Sequence, residues 1–454
     1  MLQVGLFVAV VASGPTSDAA QAGLLVWAMT GPLAALKSLS LFVVVRNFNP
    51  LLAAHGALGG VLSWALPLVV SVRLLPLITG QSLRVLVPLW IFCAIAALCS
   101  VLTSAAVAVS LMKAATLAIV ASGVLIAGQR LSATETRSLG TWLRTLAVVV
   151  TALSLATIVR PGIAHLPNSD LLNGILGHSQ ALGAFLAPFA AASLAEWMLS
   201  RGSATPVRMM IWFGILGCTL LTSSRTAVLA TILGLAFSLI GGTTADRRLA
   251  GAAVQRAFGM IALLALALLV VQLATGRVSS GVSEFVLKGG QGTVSESFQA
   301  SRGGLVSSQV RNFMTSPWIG HGFGVFAEGD PTPGVRTFMG IPVSAPVEKG
   351  VLPTAVLEET GVIGFLCFAY LIYALVSGVW RRASHPIVAM LIACLFVNLG
   401  EAILLSPGGF GLHVWLLIAW CIRVAEVESA PAIAENPATG TSAQPFRPYP
   451  NLLD

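Results

Sequence analysis

The sequence predicts an all-α polytopic integral membrane protein of about 12 transmembrane helices, with one long, partly helical extracytoplasmic loop. Three observations predict it. Hydrophobic residues make up 56% of the 454 and charged residues only 9%, where a soluble domain carries about 25% charged residues. Mean hydropathy is +0.90, more apolar surface than a water-soluble core needs. Apolar runs of roughly the 20 residues that cross a bilayer recur along the chain, and its polar residues gather in one long segment before the C-terminal tail.

In chain order, apolar runs cover 2–12, 24–45 and 51–72, interrupted by Lys37, Arg46 and Arg73, so two or three spans fit the first 80 residues. The opening run lacks a basic n-region and reads as a short first membrane segment, not a cleavable signal. Clearer runs follow at 83–103, 105–127, 142–159, 175–199, 207–221, 227–240, 258–275, 352–379, 387–405 and 412–422. Glycine and proline inside them do not veto helices, because bilayer helices tolerate both. Residues 1–425 form one membrane domain. The stretch 426–454, rich in Pro, Ala and Glu and without periodicity, reads as a disordered cytoplasmic tail.

Charge orients the spans. The net charge of +8 lies mostly in short loops: Arg130, Arg137 and Arg144; Arg201 and Arg208; Arg247, Arg248 and Arg256; Arg381, Arg382 and His385. All four loops fall on one side, which the positive-inside rule makes cytoplasmic. Nucleic acid is therefore not an expected partner. The opposite side receives 160–174, the turn 222–225, the long loop of about 276–351, and 406–411. Over 276–350 that loop carries six Lys/Arg against five Asp/Glu, and it is too long for a plain connector. The six cysteines all lie in apolar runs and read as small buried hydrophobes. No Cys–His spacing marks a metal site, so no metal or cofactor is expected.

The stretch 300–361 concentrates charge in a chain that has little. Arg302, Val306, Gln309 and Phe313 share one face of an expected helix, so Arg302 points toward protein or membrane and needs an anionic partner. Arg311 falls on a more polar face. SPWIGHGFG reads as a tight structural turn built on alternating glycines, with His321 a further candidate within it. Glu348 and Lys349 precede a helix that Pro353 starts, and Glu358 and Glu359 sit one to two turns inside it. These boundary carboxylates either deprotonate a hydroxyl or pair with the arginines.

Five further positions line outer span ends. Arg225, after Thr222, Ser223 and Ser224, either snorkels to the interface or forms a phosphate seat at a helix start. Asn398 and Glu401, three apart, fall on one helix face. An intramembrane Glu is a functional candidate, and an ion pair with Arg225 is the plainer reading. His178 and Gln180 sit at the mouth of another span and are candidates for the same cavity.

Taken together, GHSQALG, SSRTAVLA, a loop arginine followed by SPWIGHGFG, LEETGVIG and NLGEAILLSPGGFG resemble, in order and spacing over 177–420, the O-antigen ligase and polymerase superfamily of bacterial polysaccharide-assembly membrane proteins. The resemblance implies metal-independent glycosyl transfer from an undecaprenyl-diphosphate-linked glycan at the outer face of the cell inner membrane. Arg225 and Arg302 would clamp the leaving diphosphate. Arg311, His321, Lys349, His178, Glu401 and Asn398 would bind diphosphate or glycan. Ligases of this superfamily show a His shortly before the motif matching LEETG. Glu348, Lys349 and Gly350 stand there instead, which tilts the expectation toward an exopolysaccharide or O-antigen polymerase with Glu348 as base. Membrane lipid, a chain-length regulator and other export proteins are the implied partners. The competing expectations are a flippase of lipid-linked glycan, which calls for repeats and broken helices, and a non-catalytic export scaffold.

Overall fold

A computed structural model describes residues 17–49, 59–164, 171–199, 205–241, 303–335, 337–338, 341–342 and 349–430. The helices in chain order are α1 (Ser17–Ala28), α2 (Pro32–Arg46), α3 (Gly59–Leu74), α4 (Gly80–Thr103), α5 (Val107–Gln129), α6 (Ala133–Ala156), α7 (Pro161–Ala164), α8 (Ser179–Leu199), α9 (Pro206–Leu221), α10 (Arg225–Ile240), α11 (Gly304–Thr315), α12 (Leu352–Val379), α13 (His385–Phe396) and α14 (Phe410–Ser429). One small antiparallel hairpin pairs β1 (Thr337–Phe338) with β2 (Ile341–Pro342).

Six stretches are long and apolar enough to cross a membrane: Gly80–Thr103, Val107–Gln129, Ala133–Val159, Ser179–Leu199, Leu352–Val379 and Phe410–Ser429. The chain is an all-α, multi-pass membrane protein. Six such spans stand among the described residues, where the sequence leads one to expect about 12. Four more apolar helices are shorter, and the expected runs at 2–12 and 258–275 lie outside the described residues.

At the centre, α14 is almost wholly apolar from Gly411 to Ile422, and every residue of that stretch is buried, as such a helix requires. It packs on α5, α13, α12, α2 and α6. The indole of Trp420 donates to Thr136 O at 3.0 Å, and that of Trp415 to Leu404 O at 2.8 Å. The peripheral α12 instead exposes Ile363, Leu366, Tyr370 and Tyr373, which makes that face lipid-facing.

Helices α8, α10 and α13 meet through small residues: Ala187 and Ala230, then Ala191, Ala195, Ala389 and Ala393. Lipid tails are as apolar as leucine, so helices in a bilayer gain by close backbone approach. A Cβ on Gly234 would stand 2.6 Å from Ala389 O. Gly234→Leu is therefore expected to force α10 off α13, at a cost of about 1–3 kcal/mol or more. Thermal unfolding in detergent checks it, and an unchanged midpoint would contradict this packing.

Several expected boundaries move, each for a local reason. The run 24–45 splits at Met29–Gly31 into α1 and α2, because the residue before Pro32 is disfavoured in the α region; Ser38 Oγ then ties the pair by donating to Leu24 O at 2.6 Å. The span expected from 175 begins only at Ser179. Ile175 lies in a turn and Leu176 makes an isolated antiparallel bridge to Phe48 instead, with Asn49 N donating to Ile175 O and Gly177 N to Asn47 O. The span expected over 387–405 ends at Phe396, followed by a 3-10 turn at Val397–Leu399. Asn398 and Glu401 therefore do not share a helix face. Finally, α14 continues past 426, because the Glu428 carboxylate accepts from Ser384 N and Oγ at the start of α13. Residues 431–454 of the expected tail lie outside the described residues.

Candidate functional site

The site starts from a break in α12. Gly361 has φ 64° and ψ −168°, a conformation essentially restricted to glycine. It splits the helix into residues 352–360 and 362–379. The freed backbone groups are taken up by the SPWIGHGFG loop. His321 N donates to Glu358 O at 3.0 Å and Gly322 N to Glu359 O at 2.9 Å, while Val362 N donates to Pro317 O at 2.8 Å and Ile363 N to Trp318 O at 3.3 Å. Irregular backbone at membrane depth persists only where protein or water satisfies it, and here the loop does so from both sides of the break.

The expected glycine turn is present, with positive φ at Gly320, Gly322 and Gly324. Its function is close approach: a Cβ on Gly320 would meet Glu359 C at 2.4 Å, and one on Gly322 the Ser104 side chain at 2.5 Å. Between these glycines Phe323 is fully buried, edge-on to Phe92 of α4 at 5.8 Å. Phe323 N donates to Ser100 Oγ at 2.8 Å. The Lys113 ammonium, on buried α5, stands 5.0 Å over the Phe323 ring. The loop is thus plugged into the helix bundle beside the α4–α5 turn.

The first half of α12 carries the charge. Lys349 Nζ lies 3.0 Å from Glu358 Oε2 and 3.7 Å from Glu359 Oε1, and all three side chains are at most 4% exposed. The Lys349 ammonium also sits 5.1 Å over the Phe326 ring. From α11, Asn312 Nδ2 donates to Glu358 Oε1 at 2.9 Å, and Gln309 Nε2 donates to Lys349 O at 3.0 Å. Thr354 donates to Gln309 Oε1. A cavity of about 160 Å³, lined among others by Ser308, Asn312, Phe326, Glu328, Lys349 and Glu358, opens against this cluster. It has room for about five waters. The lining mixes carboxylate, amide and hydroxyl groups with an aromatic face, and a formal count gives two carboxylates to one ammonium.

The expected site residues fall into two groups. His321, Lys349 and Arg311 join the cluster region. His321 Nε2 donates to Asn312 O at 2.9 Å and lies equally close to Thr315 Oγ1. Exposed Arg311 pairs with Glu328 at 3.5 Å. The carboxylates expected to pair with arginines pair with Lys349. Arg302 and Glu348 lie outside the described residues. The second group gathers around the α9–α10 turn. Arg225 opens α10 after Ser224, whose hydroxyl accepts from Ala227 N. A Cβ on Gly183, just inside α8, would meet Ser224 at 2.7 Å, and one on Gly400 would meet Thr226 at 1.9 Å. This brings the α8 start, with exposed His178 accepting from Gln180 N at 3.2 Å, and the Glu401 segment beside Arg225. Asn398 is used internally: Nδ2 donates to Cys394 O and Oδ1 accepts from Leu404 N.

Sequence reasoning missed Asn312, Phe323 and Lys113. Phe323 had a signal, since a large apolar residue between two turn glycines asks for a pocket. Lys113 inside an otherwise apolar run was the other. Among the described residues no three His, Cys, Asp or Glu converge as metal ligands.

Fold and site together define a multi-pass, all-α membrane protein with a broken helix and a buried charge cluster at the break. Compared with models of known families and with curated protein sequences, the chain matches none.

Proposed function

We propose that the chain is a membrane-embedded glycosyltransferase that polymerises undecaprenyl-diphosphate-linked glycan repeats at the outer face of the bacterial inner membrane. In this reading about 12 spans place the 276–351 loop outside and the tail in the cytoplasm. The observation that carries it is the buried Lys349–Glu358–Glu359 cluster opening on a polar cavity at the break in α12. The uninterrupted half, residues 362–379, is about 27 Å long at 1.5 Å per residue, close to the ~30 Å hydrocarbon core. That sets the cluster near a membrane boundary, where a lipid diphosphate resides. The motifs behind the resemblance also meet in space: SPWIGHGFG on LEETG, and both GHSQALG and NLGE on SSRT.

In the reaction, the acceptor hydroxyl oxygen bonds to the anomeric carbon. The bond from that carbon to the diphosphate breaks, its electron pair leaves on the diphosphate oxygen, and Glu348 takes the hydroxyl proton. Arg225 and Arg302 stabilise the departing charge. The described cavity suits the acceptor sugar better than the diphosphate, because its carboxylates repel an anion while its amide, hydroxyl and Phe326 ring match a sugar's polar edge and apolar face.

A flippase is the second reading, and the broken α12 is the feature that favours it. Yet this break falls nine residues from the helix start, not at mid-span, and the loop occupies the freed backbone groups. Purified protein in nanodiscs, given lipid-linked repeat units and EDTA, is expected to build a ladder of longer glycans. Arg225→Ala is expected to slow it at least 10²-fold, the usual effect of losing one charge-stabilising donor. Transfer only to an added second acceptor would make the protein a ligase. Translocation without any product would reject the enzyme and favour the flippase.

A further inference from the structure

Helix α11 has a face that the cluster does not use. It buries only Gln309 and Asn312. On another side Val306 and Phe313 are half-buried, while Val310 and Met314 are 42% and 68% exposed. At 3.6 residues per turn these four fall within an arc of about 100°. Just beyond the helix, the Trp318 side chain is 67% exposed.

Trp318 is not a stray surface residue. Its carbonyl accepts from Ile363 N at the first turn of the long half of α12. From there Ile363, Leu366, Tyr370 and Tyr373 run down one side as exposed apolar groups, at spacings that keep them on one helix face. Trp318 therefore continues the lipid-facing side of a span at its end. Tryptophan is enriched where hydrocarbon meets headgroups. Arg311, exposed on the flank of the apolar arc, adds a cation at headgroup level. An apolar arc, a flanking cation and an aromatic at the rim are the pattern of a helix that lies in a membrane interface.

We propose that α11 and Trp318 form an interfacial anchor, with Val310, Met314 and Trp318 seated in the headgroup–acyl boundary of the bilayer. The occupant is lipid and not a second copy of the chain, because the patch is continuous with a lipid-facing span. The other side of α11 holds Glu358 through Asn312 and the Lys349 carbonyl through Gln309, so the anchor sets the depth of the cluster. This holds whether or not the chain transfers sugars.

The test uses the full chain in nanodiscs with a nitroxide at Val310→Cys or Met314→Cys. Asp330→Cys, on an exposed loop, is the water-facing control, and labelled parent protein supplies the background from native cysteines. Positions 310 and 314 are expected to relax severalfold more with oxygen, which partitions into lipid, than with a water-soluble nickel chelate, and position 330 the reverse. Chelate-dominated relaxation at 310 and 314 would overturn the proposal. Protection from both agents would also overturn it, since that means cover by protein. Trp318→Phe provides a separate reading: it should remove part of the fluorescence quenching by lipids brominated near the headgroup, and no change would count against the anchor.

Discussion

Lys349→Met is expected to lower stability by about 3–5 kcal/mol, the cost of leaving buried charge without its partner. Two carboxylates then face each other. Their nearest oxygens, 3.0 and 3.7 Å from the missing nitrogen, are no more than about 7 Å apart. At an effective dielectric of about 20, that repulsion alone is roughly 2 kcal/mol, and the desolvation of both groups is no longer offset. Adding Glu358→Gln and Glu359→Gln should restore folding, since the amide oxygen introduced at position 358 would still accept from Asn312 and no net charge would remain buried. Thermal unfolding and monodispersity in detergent read both steps. A single variant as stable as the parent would show that the three groups do not form the ion cluster described. In the turnover assay the triple variant should be folded and impaired; full activity would remove the cluster from the proposed chemistry while leaving its structural role intact.

Gly361→Ala is the second large effect. The alanine must adopt φ 64° with ψ −168°, which costs about 1–3 kcal/mol for a residue with a side chain. Its Cβ would also lie 2.3 Å from Trp318 C and 2.4 Å from Ile319 N. These are backbone atoms held by two hydrogen bonds to residues 362 and 363, so they cannot turn aside as a side chain would. The expected outcome is a straightened α12 and an expelled loop. Hydrogen exchange checks it: the amides of His321, Gly322, Val362 and Ile363, all donors across the break, should lose protection together. Gly329→Ala is the matched control. It has φ 74° but nothing within 4 Å of its Cβ, and should cost only the backbone term, about 1–2 kcal/mol. Equal effects at both positions would mean that loop insertion is not what Gly361 serves.

Both variants bear on what could be read in advance. The bounds of α12 were legible to the residue, because Pro353 marks a first turn and the apolar run that follows has the length of a span. The break inside it was not. Glycine in LEETGVIG looks like any glycine that a bilayer helix tolerates, and only the loop that enters the helix there shows otherwise. That α11 is a helix was legible, but its faces were only partly so: Gln309, expected beside Val306 and Phe313, is buried against Lys349 while those two are half-buried. Its buried centre, Gln309 and Asn312, was not legible, since their partners are Lys349 and Glu358, 40 and 46 residues onward. Asn398 and Glu401 were misread together, because spacing of three implies a shared face only while the helix lasts, and α13 ends at Phe396.

The sequence by itself determined that this is a helical membrane protein, and that its polar groups concentrate around 300–361. Transfer of apolar residues into lipid is a local quantity, additive along the chain, so hydropathy alone carries it. Only the tertiary structure decided which charge meets which. The two glutamates were open to an arginine or to catalysis, and they took Lys349. For side chains this buried, a charge is tolerated only beside its counter-ion, and that counter-ion is whichever group the fold brings within about 4 Å.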